Sequence, residues 1–317
     1  EPHPPVADSD EELIEAVRFL GETATPPRPF DDAHPTMTLA LGSRFRLHAI
    51  GFGLSHRPSV IIRQHTLTAV TLKELSDGGM LPLPLARLLA QAVAGRKSIV
   101  ISGDQGAGKT TLLRALITEI PLTERFGTLE TDYELLTHLQ PNRRNMLALQ
   151  AKIGLGEEQG GRRVGEWSVA DLIPEALRQN LSRLVVGEVR GAEAGAMFEA
   201  MQAGAGTLST THSHSDTSTI DRLAAPVALG GVLGIGEAMR QIAHNINLIV
   251  HVMLQDDTWR GGVRKRFVSE VRQLTGSMEN GRPTTHLIYR AGPPALFQPE
   301  ASMMAELAQF RVASWER

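Results

Sequence analysis

The sequence contains no cysteine. That excludes a disulfide scaffold, a thiolate zinc site and a cysteine nucleophile, and it suits a reducing compartment. Aromatic residues make up only 4% of the chain, so a platform for stacking nucleic-acid bases is poorly supplied. Long apolar runs are missing too. A membrane helix needs roughly 18 or more apolar residues in a row. The best stretch, Ile246 to Leu254, is short and broken by Asn247 and His251. A spanning helix is therefore excluded, whereas peripheral attachment is not. Nor is there an excess of positive charge: the formal net charge is −3, so no overall basic field draws the chain to nucleic acid or anionic lipid. Lysine is scarce, with five (73, 97, 109, 152 and 265) among 32 basic residues. The rest are arginine, a bias that reads as genomic composition rather than chemistry. The chain opens on Glu1 rather than Met, and the expectation is a fragment of a longer protein.

What remains is an ordinary globular composition. The 317 residues are 42% hydrophobic and 21% charged, enough to bury a sizeable core. At roughly 100–200 residues per domain, the length suggests two. Residues 1–77 read as a small N-terminal α+β domain. It starts with a helix over Glu11–Leu20, for which Asp8, Ser9 and Asp10 are candidate caps, and the proline-rich Thr25–Pro29 stops it. Short strands follow at Thr36–Leu41, Arg44–Ile50 and Ser59–Ile62, with Gly42-Ser43 as a turn. Residues 78–317 have a different texture. Pro82 and Pro84 open a helix that ends near Ala94. Strands are then expected at Ser98–Ser102, Arg125–Glu130, Asn145–Gln150, Leu184–Val186 and Thr207–Thr211. They alternate with helices at Lys109–Glu119, Ser168–Asn180, Gly191–Ala203 and Thr217–Leu223. Such alternation predicts an α/β domain with a parallel sheet covered on both faces. A further helix after about 236, a strand at Leu248–Leu254 and a basic hairpin complete it. Residues 154–166 are rich in glycine and charge without periodicity and read as a mobile loop.

The strongest chemical signal is Gly103-Asp104-Gln105-Gly106-Ala107-Gly108-Lys109-Thr110, followed by Thr111. It satisfies G-x-x-x-x-G-K-[ST], follows an apolar strand and opens a helix, which is the context a phosphate-binding loop needs. The glycines let the backbone turn its N–H groups inward, and the helix N-terminus adds a positive field. Lys109 can reach β- and γ-phosphates and Thr110 can ligate Mg²⁺. A chance match in a glycine-rich turn is outweighed by this context. Glu188 ends the apolar run Leu184-Val-Val-Gly-Glu. A carboxylate there can orient water on the metal or take a proton from the attacking water. Glu130, Asp132 and Glu134 follow another strand and suit either a metal-water or general-base role, or the stabilisation of a helix start; spacing alone does not decide. His212 and His214 follow a third strand, where His212 can hydrogen-bond a γ-phosphate or be a plain surface histidine. With no third ligand evident, the pair is a poor zinc site. Arg190 can pair with an acid or reach phosphate. The basic stretch Arg260, Arg264, Lys265, Arg266 and Arg272, interleaved with Val263, Phe267 and Val271, reads as a solvated hairpin face rather than a nucleic-acid patch.

Taken in order, these motifs resemble the secretion (traffic) ATPases of type II and type IV secretion systems and type IV pili, and most closely the branch serving tight-adherence (Flp) pilus assembly. The resemblance rests on Gly103–Thr110, Glu130-Thr-Asp-Tyr-Glu-Leu135, Ala176-Leu-Arg178 leading into Leu184-Val-Val-Gly-Glu-Val-Arg-Gly191, Glu193-Ala194, Ala200-Met201 and Leu208-Ser-Thr-Thr-His212. Phe30-Asp-Asp32 and Ile61-Ile-Arg63 upstream, with Arg240-Gln-Ile242 and Asn247–Val250 downstream, extend it from about residue 8 to about residue 290. It implies a RecA-like P-loop NTPase core behind a smaller N-terminal domain, a ring-shaped homo-hexamer, and ATP with Mg²⁺ in the cleft between the two domains. By the same resemblance, Lys109 and Thr110 take the Walker A roles and Glu188 the Walker B role. Glu130 and Glu134 fall in the acidic box and His212 in the His box, and an arginine, Arg63 or else Arg190, completes the site. It also implies a cytoplasmic motor, peripheral at the inner face of the membrane, that acts on a platform protein. The chain departs from the family at Asp104 and Gln105, at Thr131-Asp132, and at Ala203-Gly-Ala205, where one of the two His-box histidines is replaced. Two other readings stay open from the residues: a nucleotide-binding regulatory module with little turnover, and a RecA-like nucleic-acid translocase.

Overall fold

The structure, a computed structural model, describes residues 7–317 except 43, 65–68, 155, 190, 192, 203, 205, 230–232, 311, 313–314 and 316–317. Contacts divide the chain into two compact units: Glu1–Thr68 with Ala151–Trp167, and Ala69–Gln150 with Ser168–Arg317.

In the smaller unit, α1 (Asp10–Glu22) is capped by Ser9, whose hydroxyl accepts from the Glu12 N–H. Strands β1 (Thr36–Leu41), β2 (Phe45–Ile50) and β3 (Ser59–Gln64) form an antiparallel sheet in that order. Alternation places Met37, Leu39, Leu47 and Ala49 on one face, where they close over Val17 and Phe30 in a separate small core.

The larger unit begins with α2 (Leu72–Asp77) and α3 (Leu83–Ala94). Next come β4 (Ile99–Gly103), α4 (Lys109–Thr118), β5 (Phe126–Glu130) and β6 (Met146–Gln150). The segment read as a mobile loop, 154–166, instead carries a two-stranded hairpin of the smaller unit, β7 (Glu158–Gln159) with β8 (Arg162–Arg163). Gly160 and Gly161 turn it, both at positive φ, and two paired residues per strand are too few to leave a periodic signal. The larger unit resumes with α5 (Val169–Leu177), β9 (Arg183–Val186), α6 (Glu193–Gln202), β10 (Gly206–His212), α7 (Asp216–Leu229) and α8 (Ile235–Asn245). It ends with β11 (Leu248–Asp256), β12 (Arg264–Glu279), β13 (Arg282–Arg290), β14 (Leu296–Phe297) and α9 (Ala301–Ala308). Helix α7 runs six residues beyond the expected end at Leu223, through Pro226 to Leu229. Helices α2 and α9 and strand β14 are short and add to the elements that the sequence suggests.

The nine-stranded sheet has the order β14-β13-β12-β11-β4-β10-β9-β5-β6. From β11 to β6 every neighbouring pair is parallel, and β12, β13 and β14 add an antiparallel edge. Helices α2, α3, α4 and α9 pack in one group and α5 to α8 in another. With helices on both sides, every residue of β4, β5 and β9 is buried. That accounts for their continuous apolar runs where a half-exposed strand would alternate. The predicted α/β, RecA-like core is therefore present, and the carboxyl ends of β4, β10, β9 and β5 lie side by side, where ligands bind in such sheets.

Candidate nucleotide-binding site

Three positive-φ glycines shape the loop after β4: Gly103, Gly106 and Gly108. At Gly103 the constraint is also steric, because a Cβ there would sit 2.2 Å from the Val252 carbonyl oxygen of β11. Gly108 holds the left-handed N-cap position of α4 at φ 101°, which aims the amino end of the helix at the loop interior. Lys109 follows as the first helical residue and is only 8% exposed. Its ammonium donates to the Gly103 and Asp104 carbonyls, each at 2.9 Å. The loop thus closes around a buried cation, with its flanks (Asp104, Gln105, Gly106) exposed and Ala107 buried.

The neighbouring strands add two further groups. In the β4–β10 register His212 lies directly opposite Gly103. Its Nδ1 is 3.2 Å from the Lys109 ammonium and its Nε2 is 2.8 Å from the Glu188 carboxylate, which lies two residues past the end of β9. Because an ammonium only donates, Nδ1 is the acceptor toward Lys109, and Nε2 is left facing the Glu188 carboxylate. Lys109, His212 and Glu188 therefore form one connected row across the carboxyl edge. The segment carrying Glu188 is itself held. Gly187 N–H donates to the Leu129 carbonyl at 2.9 Å, Thr210 Oγ1 donates to the Gly187 carbonyl at 2.7 Å, and Val189 N–H donates to Thr210 at 2.7 Å. Thr110 and Thr111 are half-buried on the first turn of α4, beside this row.

The acidic box divides. Glu130, 4% exposed at the end of β5, accepts the N–H groups of Glu134 and Leu135 at 2.9 and 2.8 Å. It therefore shapes the turn after β5. No α-helix begins there among the described residues; a single 3-10 turn follows at Thr137–Leu139. Glu130 also acts electrostatically: its charge partly offsets the downward pull that burial exerts on Arg114, and it adds to burial in raising the Tyr133 phenol. It packs at Gly187, where a Cβ would lie 3.1 Å from its Cγ, so it adjoins the Glu188 segment. The half-buried Glu134 is fixed through its carbonyl, which accepts from the Arg114 guanidinium. His214 is 2.7 Å from the Asp104 carboxylate on the exposed rim of the loop. Arg63 lies exposed on β3 in the smaller unit, paired in register with Arg46. Arg190, Ala203 and Ala205 lie outside the described residues.

One residue escaped the sequence reading. Arg266 of β12, taken for part of a solvated face, donates from Nε to the Gly106 carbonyl at 2.8 Å. The β11–β12 pairing sets Arg266 opposite Leu254 and so carries it to the loop 160 residues away. Short motifs hold no signal for that.

The row of groups fits a nucleoside triphosphate and its metal. The loop offers inward backbone, a helix amino end and a buried ammonium for phosphate, and Thr110 and Glu188 supply hydroxyl and carboxylate oxygens suited to Mg²⁺. No cluster of three or more acidic, histidine or cysteine side chains that could hold a metal occurs among the described residues.

The sequence profile of the family described as type II/IV secretion system protein matches residues 28–271. Rv3659c, a Mycobacterium tuberculosis protein named provisionally for conjugal transfer, is 32% identical over 281 residues, which cover 83% of this chain and 74% of that protein. The type IV secretion system protein PtlH of Bordetella pertussis is 35% identical over 136 residues, covering 43% of this chain and 38% of its own length. Among solved structures, the Legionella pneumophila ATPase DotB superposes with a TM-score of 0.56 at 21% identity, over 84% of this chain and 69% of that one, a likeness of fold. By its sequence profile and its relatives, the chain belongs to the type II/IV secretion system protein family.

Proposed function

We propose that the chain is a secretion-type ATPase that hydrolyses ATP with Mg²⁺ and converts the energy into motion. The carrying observation is the connected row Lys109–His212–Glu188 at the mouth of a glycine loop and helix amino end. Lys109, with the inward amides of 103–111, holds and neutralises the phosphates. Thr110 and Glu188 would hold Mg²⁺, which would supply charge neutralisation for the phosphates. Glu188 accepts a proton from the attacking water, and His212, between Glu188 and Lys109, keeps the carboxylate turned toward the phosphate end of the site. Glu130 braces the Glu188 segment, with Glu134 in the turn it closes. Arg63 and Arg190 are the candidates for the arginine that meets the γ-phosphate.

The biological reading follows the family. The chain works as a homo-hexamer at the cytoplasmic face of the membrane and drives a platform protein for pilus assembly or protein secretion. The smaller unit, residues 1–68 with 151–167 where the sequence suggested 1–77, serves as the moving N-terminal domain, and the larger unit, 69–150 with 168–317 rather than an unbroken 78–317, as the RecA-like motor. Attachment to the membrane runs through partners; among the described residues no helix is long and apolar enough to cross it. The test is steady-state ATP hydrolysis across a protein concentration series, with Lys109→Ala and Glu188→Gln alongside. Specific activity is expected to rise with concentration and to vanish in both variants. ADP binding with no turnover at any concentration, with and without platform protein, would reject the motor in favour of a regulatory nucleotide-binding module.

A further inference from the structure

We propose that Arg266 is a positioning residue for the phosphate-binding loop, acting on it from the antiparallel edge of the sheet. The inference rests on the nucleotide-binding reading of that loop. Its Nε donates to the Gly106 carbonyl at 2.8 Å, and its Cδ lies 3.3 Å from where a Cβ on Gly108 would stand. The side chain therefore lies along the outer wall of the loop from Gly106 to Gly108. In a trans peptide the carbonyl and the following N–H point in opposite directions. Holding the Gly106 carbonyl outward, toward β12, turns the Ala107 N–H inward. That N–H is directed at the Asp104 carbonyl at 3.3 Å, the same carbonyl that receives the Lys109 ammonium at 2.9 Å. The Ala107 amide and the Lys109 ammonium thus converge on one point inside the loop, where a phosphate oxygen would replace the carbonyl as acceptor.

This geometry has a reason to need an external brace. Gly106 sits at φ 75° with no side chain of its own, and the loop around it is exposed. Nothing intrinsic to a glycine selects this peptide orientation over its flipped alternative. A charged donor on a strand of the rigid sheet does select it, since hydrogen bonds from charged groups are about twice as strong as neutral ones. Arg264, two residues earlier on the same strand, is instead engaged by Asp256 at 3.3 Å. The Arg264 Nη2 also lies 3.9 Å from where a Cβ on Gly106 would stand, but the hydrogen bond to the loop comes from Arg266. It is exposed, so replacing it removes no core packing.

The experiment measures binding of MgADP and of inorganic pyrophosphate to the full chain, with Arg266→Gln, Arg266→Lys and Arg260→Gln beside the wild type. Arg260 pairs with Asp257 at 2.8 Å in the loop between β11 and β12, so its variant controls for loss of one positive charge without loss of the loop contact. Arg266→Gln is expected to weaken both ligands by the same factor, about tenfold. Arg266→Lys, which keeps a charged donor, should recover most of that loss, and Arg260→Gln should stay within about twofold of wild type. The melting temperature without ligand should not move. Equal binding by wild type and Arg266→Gln would overturn the proposal. So would an equal loss in Arg260→Gln, which would make the effect one of general charge, or a loss for ADP but not pyrophosphate, which would place it away from the phosphates. A wild type that binds neither ligand would instead reject the nucleotide reading itself.

Discussion

Two histidines two residues apart show how position decides weight. His212 is 36% exposed and lies between a buried ammonium and a carboxylate, whereas His214 is 96% exposed and meets Asp104 on the rim. An exposed ion pair is worth roughly 0–1 kcal/mol, at most a few-fold in an equilibrium constant. The extra acid at Asp104 and its partner should therefore matter little. His214→Gln is expected to change the KM for ATP by less than about threefold. His212→Gln interrupts the row that orients Glu188. Its kcat should fall by about a hundredfold, the lower range for losing positioned acid–base chemistry, while ADP affinity stays within a few-fold. Steady-state kinetics with an ADP titration separates the two. A His214 variant as impaired as the His212 variant would mean that the rim, not the row, carries the chemistry.

At the scale of single elements, the helix starts are local signals, legible for the longer helices although the short α2 goes unread. Ser168 and Asp171 form a reciprocal capping box on α5, as their spacing predicts. Ser168→Ala should cost about 1 kcal/mol in urea unfolding. Thr71 and Glu74 do the same for α2. The Thr71 N–H, and then its hydroxyl, hold the Glu74 carboxyl below the usual range. A depressed carboxylate contributes stability that is fully present above its unfolded value, about 4.3, and is lost as pH falls through the lower folded value. Amide protection at Leu75 and Gly78 should therefore drop on acidification below about pH 4 in the wild type. In Glu74→Ala it should be lower throughout and flat with pH. An equal drop in both would detach it from Glu74. The phosphate loop and the Glu188 strand were legible for the same reason as the caps: a few consecutive residues specify them. The hairpin at 158–163 was hidden by its brevity. Arg266 was hidden because its place depends on a β11–β12 pairing with a register shift at His251/Val252, which no local spacing encodes.

Across the whole molecule, the larger unit is polarised along its parallel strands. The chemistry stands at their carboxyl ends, and at their amino ends lies a buried ion pair that no site argument uses. Arg183, the first residue of β9, is fully buried, and burial, more than Glu124 offsets, lowers its pKa. Its Nε donates to Glu124 at 3.0 Å and its Nη2 to the Val93 carbonyl at 2.6 Å, joining the ends of α3, β5 and β9. Arg96 approaches the same carboxylate at 3.6 Å from the segment before β4. Removing one partner of such a pair leaves a charge in the interior, which costs about 3–5 kcal/mol, whereas replacing both by apolar groups is often nearly neutral. Glu124→Gln should accordingly lower stability by about 3 kcal/mol in urea. The double variant Glu124→Leu with Arg183→Met should recover most of it. Because the pair is a strand's length from Lys109 and Glu188, kcat measured where each variant is folded should stay within about twofold of wild type. A folded Glu124→Gln protein with kcat reduced as far as in His212→Gln would show that strain at the amino ends reaches the site. The division of the sheet into a chemical edge and a structural edge would then fail.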